Sequence, residues 1–164
     1  MTTTPAHISP EFQSLVTLLR ETLLHAAADE AYVINPKEPG FIDTLRTLSA
    51  ATASRAPGAG RKPICAHANH VLYGIELATR ALSGEQGVYQ SADWNEAWKL
   101  EEVNDEEWRG LLDRLQRQAE LLMELVSRPR EWERIALTGT FGIPAHTAYH
   151  LGAVRQMLLD LGAK

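Results

Sequence analysis

The chain has 164 residues, enough for one domain with a sizeable core, and its 45% hydrophobic content excludes a disordered polymer. A formal charge of −5, with the acids dispersed along the chain, argues against a nucleic-acid or anionic-membrane partner. The single cysteine, Cys65, rules out an internal disulfide and fits a reducing compartment.

Met1-Thr2-Thr3-Thr4-Pro5 has no basic region followed by an apolar run, so a signal peptide is not expected. No apolar stretch approaches the roughly 20 residues that span a bilayer. The expectation is a soluble, cytoplasmic protein.

Pro10 opens the first periodic segment. Phe12, Leu15, Val16, Leu18, Leu19, Leu23 and Leu24 follow at helical spacing and predict an amphipathic helix from about 10 to 28. Two prolines and a glycine make Ile34 to Gly40 a loop. A shorter helix is predicted from about 41 to 53, through Phe41, Leu45 and Leu48, before a second loop at Ala56 to Gly60. Pro63 suits the opening of the next helix, since no amide donor is needed there. Ile64, Ala68, Val71, Ile75, Ala78 and Leu82 share one of its faces, and Gly84 marks its stop. Residues from about 85 to 103 form an acidic, irregular stretch that holds Trp94 and Trp98. Asn104 or Asp105 caps a helix carrying Trp108, Leu111, Leu112, Leu115, Ala119, Leu122 and Leu125, which Pro129 ends. Gly139 to Pro144 reads as a turn into a last helix from Pro144 to about Leu161. No segment alternates like a strand. Four long helices and a short one predict an all-α fold, an antiparallel four-helix bundle in a single domain over 1–164.

The histidines carry the chemistry. His146 and His150 are four apart, one turn above the other, on a stripe that continues through Val154, Met157 and Leu161. That stripe is apolar, so the pair faces the interior, where two imidazoles a turn apart can grip one transition metal. A third ligand must come from elsewhere, and His67 and His70 on the helix after Pro63 are both candidates. His146 is placed in the first turn of its helix, where the dipole disfavours protonation and keeps it a ligand. Against this stands a hydrogen-bonded histidine core with no metal. His7 and His25 are isolated and expected at the surface. Cys65 is read as a small core residue, and Trp94, Trp98 and Trp108 as pocket walls or as core and loop anchors. There is no phosphate-binding glycine loop, no Gly-x-Ser-x-Gly elbow and no basic stripe.

Ile64-Cys65-Ala66-His67-Ala68-Asn69-His70-Val71 resembles the motif in the second long helix of DinB/YfiT-like proteins, in which a metal-binding histidine precedes an aliphatic residue. His146-Thr147-Ala148-Tyr149-His150-Leu151-Gly152 resembles that family's last-helix motif, H-x-x-x-H-hydrophobic-Gly. The resemblance covers most of the chain. It implies a four-helix bundle, a divalent metal on three histidines and frequent dimerisation. Matching on the aliphatic follower selects His70, with His146 and His150, as the ligands; His67 becomes a supporting partner or alternate ligand. The metal is zinc, nickel, manganese or iron, since imidazole suits each.

Some branches of that family transfer low-molecular-weight thiols such as bacillithiol or mycothiol to electrophiles. The expectation is therefore thiol S-transferase-like chemistry on a small-molecule thiol. Tyr73, Tyr149, Trp94 and Arg155 are candidates for the pocket rim, and no general base is assigned. Metal-assisted hydrolysis and a non-catalytic metal-binding or stress-response module are the alternatives.

Overall fold

The computed structural model describes residues 8–163, and these are all-helical. The helices are α1 (Pro10–Leu23), α2 (Phe41–Arg46), α3 (Ala50–Ala53), α4 (Ile64–Leu82), α5 (Asp105–Val126) and α6 (Arg134–Asp160), with one 3₁₀ turn at Glu96–Trp98. Among the described residues the extended pairing is an isolated bridge between His25 and Pro39.

α1 ends at Leu23, several residues before the expected stop, although Ala26, Ala27 and Ala28 are strong helix formers. Tertiary contacts take the chain away. The Leu24 carbonyl accepts the Gly40 amide at 2.5 Å. Glu21, buried in the last turn, accepts the backbone amides of Tyr32, Val33 and Ile34 on one carboxylate oxygen at 2.8–2.9 Å. That carboxylate satisfies three successive donors in a loop that has no ladder of its own.

The helix expected from 41 to 53 is two pieces. Ser49 caps the second by accepting the Thr52 amide, and the Leu48 carbonyl between them accepts the indole N–H of Trp108 at 3.0 Å. Both ends of α4 follow the sequence. Pro63 precedes its first residue, and Gly84 sits at φ 98° just past its end. The Gly84 amide donates to Ala81 and the Glu85 amide to Arg80, closing the last orphan carbonyls. Asn104 and Glu107 form a reciprocal capping box at the start of α5.

The last helix departs most from expectation. Residues 139–144 are helix, not turn, and α6 begins at Arg134 and runs through Pro144. Two glycines and a proline disfavour a helix interior by roughly 5 kcal/mol together. Burial outweighs this: Thr140, Ile143, Pro144, Thr147, His150, Leu151, Val154 and Met157 all turn inward.

α4 packs against both α5 and α6, and α1 against the same two. Leu15, Leu19 and Leu23 of α1, Val71 and Ile75 of α4, Leu115 and Leu122 of α5, and Val154 and Met157 of α6 join one continuous buried cluster. No helix among the described residues is long and apolar enough to cross a membrane.

Candidate metal centre

The α4–α6 interface brings four imidazoles together. His67 and His70 come from α4, His146 and His150 from α6. His146 Nε2 lies 3.1 Å from His70 Nε2 and 3.0 Å from His150 Nε2. Ring nitrogens of His70, His146 and His150 all fall within 4.8 Å of one another, a grouping that could hold a metal ion. His67 does not join that group. Its Nδ1 instead meets Nδ1 of His150 at 3.0 Å, on the far side of the ring from Nε2.

The separations suit a single ion. Nitrogens about 2.0–2.1 Å from one metal and 3.0–3.1 Å apart subtend roughly 90–100° at it. These angles hold for the His70–His146 and His146–His150 pairs. Proton counting points the same way. A neutral imidazole has one proton and one lone pair, so His146 Nε2 cannot make a full hydrogen bond to both of its neighbours. A cation accepts all three lone pairs at once.

The rings are held neutral. Burial lowers the His150 pKa to about 3 and the His70 pKa to about 4, with the neighbouring histidines adding to both shifts. Burial also lowers His146, and lowers His67 with a smaller contribution from Arg61. The expected dipole effect on His146 is corrected here: twelve residues separate it from the start of α6 at Arg134, beyond the reach of the helix terminus. Desolvation does the same work.

With Nε2 of His150 used as a lone-pair donor, its proton sits on Nδ1 and donates to His67 Nδ1. His67 thereby fixes the ring and tautomer of His150. His70 has no such support, since its Nδ1 is buried without a hydrogen-bond partner.

Trp98 covers the group. Its indole stacks on His70 at 4.2 Å between centroids and meets His67 edge-on at 5.0 Å. The Ala97 carbonyl, held by the Asn69 amide at 2.9 Å, anchors this 3₁₀ turn to α4. The three tryptophans thus separate by role: Trp98 lies on the histidines, Trp94 near His70 and over a cavity, and Trp108 in the core.

Of the expected rim residues, Tyr149 is exposed beside His150, and Tyr73 accepts the Asp93 amide and packs on Trp94. Arg155 is elsewhere, bound to Glu38 and to the Pro39 carbonyl. His25 is exposed and paired with Asp43, and His7 lies outside the described residues. Cys65 is fully buried, and burial raises its thiol to about 11, which disfavours the thiolate that a nucleophile needs.

Beside His146 lies a cavity of about 330 Å³ between α4 and α6. Its wall includes Thr147 and Tyr89, neither of which the sequence marked as belonging to a site. The nearest sequence signal was the small-residue spacing of Gly139 and Gly142, which also read as a turn. Neither a protein-family model, nor a curated protein, nor a solved structure matches this chain.

Proposed function

We propose that the chain is a metal-dependent enzyme of the DinB/YfiT-like type, an antiparallel four-helix bundle of α1, α4, α5 and α6 that joins a low-molecular-weight thiol to an electrophile. The convergence of the His70, His146 and His150 nitrogens carries this reading. These three side chains hold a divalent transition metal. When bound, such an ion on neutral ligands lets a thiol lose its proton near neutral pH. The thiol sulfur then forms a bond to the electrophilic carbon, the leaving group departs with its electron pair, and the thiol proton passes to solvent.

The chain's own residues prepare this chemistry. Burial keeps the histidines unprotonated, His67 orients His150, and Trp98 shields the His70 ring from water.

The test is thiol binding to cobalt-substituted protein. A thiolate charge-transfer band should appear on adding a small thiol at pH 7 and be absent in His146→Ala. Stoichiometric cobalt with no such band at saturating thiol would leave a metal-binding protein without this activity.

A further inference from the structure

The cavity beside His146 has a construction that the metal reading leaves unexplained. On α6, Gly139, Gly142, His146 and Thr147 line it at helical spacing; on α4, Gly74 does. A Cβ on Gly142 would meet nothing within 4 Å, so the missing side chain is empty space rather than close packing. On Gly74 it would meet the Trp94 ring at 3.6 Å, and on Gly139 the Tyr89 hydroxyl at 3.3 Å, so the two aromatic residues wall the cavity across from backbone. About 330 Å³ is at the lower end of the range for small-molecule sites, roughly 300–1,000 Å³.

The lining chemistry defines the occupant. Apart from His146, the lining holds no Asp, Glu, Lys, Arg or His side chain, and most of the wall is carbon. Thr147 is completely buried, and its hydroxyl has no hydrogen-bond partner, although Thr138 and Thr140 on the same helix each donate to the carbonyl four residues back. That oxygen is closed off from the cavity as well, so the wall a ligand meets is almost wholly carbon. Glycine carries a helix cost at 139 and 142 that alanine would relieve.

We propose that this cavity binds a neutral, mainly apolar small molecule of fragment size, ring-like or branched. It is the electrophilic co-substrate's pocket. That last assignment rests on the metal reading above, because His146 lines the cavity and contributes Nε2 to the histidine group. Thiols bearing sugars or carboxylates are too polar for it and must reach the ion from another side.

The probes are benzyl alcohol, toluene and benzoate, titrated into the full-length, metal-free protein while amide resonances are followed by NMR. Zinc stoichiometry is measured separately, on the same proteins reconstituted with zinc. Benzyl alcohol should bind saturably and shift the Gly74, Gly139 and Gly142 amides, with benzoate at least tenfold weaker. Gly142→Leu should weaken benzyl alcohol at least tenfold and leave zinc content unchanged. Toluene, which has no polar atom, should bind at least as tightly as benzyl alcohol. Absent binding, equal binding of benzoate, or indifference to Gly142→Leu would overturn the proposal. Zinc without benzyl alcohol would remove this pocket and spare the metal reading; benzyl alcohol without zinc would keep the apolar site and remove its assignment to a metal enzyme.

Discussion

His67→Leu separates a metal ligand from a residue that positions one. His67 Nδ1 lies 3.0 Å from His150 Nδ1, while His150 Nε2 faces His146. Leucine keeps bulk on α4 but removes the acceptor. The His150 N–H, in a residue only 2% exposed, then loses its partner, a cost of about 1–3 kcal/mol. Loss of a supporting hydrogen bond to a ligating histidine weakens metal binding about 10–100-fold, or roughly 1.4–2.7 kcal/mol, which agrees with that cost. The assay is zinc competition against a chelating indicator at pH 7, with helicity checked by circular dichroism. His67→Leu should bind zinc 10–100-fold more weakly, His67→Gln should recover part of the loss through its side-chain oxygen, and His150→Ala should lose the site. Unchanged affinity in His67→Leu would refute the positioning role. Loss as complete as in His150→Ala would make His67 a ligand itself.

Further consequences concern stability. The unfolded chain takes up protons on its histidines near pH 6.5, whereas folded His70 and His150 stay neutral down to about 4 and about 3. Stability of the metal-free protein is therefore full above pH 6.5 and falls as pH drops through that window, by up to about 1.4 kcal/mol per pH unit for each ring. Urea unfolding at pH 7, 6 and 5 measures this, and a flat profile contradicts it. Glu21→Ala abandons three backbone amides and should cost at least about 2 kcal/mol in the same assay, more than removal of an exposed acid such as Glu124. Gly40→Ala forces a Cβ to within 2.6 Å of the Leu24 carbonyl oxygen and should cost about 1–3 kcal/mol, although its φ of −73° suits any residue. Thr147→Val removes an unsatisfied buried hydroxyl and should stabilise the empty protein by about 1 kcal/mol; a loss of similar size would show that the hydroxyl is bonded.

Helix existence was legible in the sequence wherever apolar spacing agreed with end chemistry. Asn104 with Glu107, and Pro63 with Gly84, set the ends of α5 and α4 as local signals. The stop of α1 was not legible, because Ala26–Ala28 favour helix and only Gly40 and the Glu21 carboxylate, through the loop that returns to α1, draw the chain away. The start of α6 was hidden for the opposite reason. Gly139, Gly142 and Pro144 carry local breaking signals, and only burial against other helices overrides them. Spacing showed that His146 and His150 share a face. It could not choose between His67 and His70, which lie nearly on one face of α4. The choice follows from three-dimensional distance: His70 meets His146 through Nε2, whereas His67 meets the back of His150. Thr147 and Tyr89 had no signal at all, since a buried hydroxyl and a tyrosine after a loop are ordinary residues until a cavity is seen beside them.

The central claim is that three histidines hold one ion. Elemental analysis of untagged protein, purified without a nickel column, beside the His146→Ala variant tests it most directly. Close to one transition-metal ion per chain in the wild type, lost in a variant that keeps its helicity, is the predicted result. No metal in the wild type after reconstitution with divalent ions, or equal metal in the variant, would contradict it and leave the four imidazoles as a hydrogen-bonded cluster.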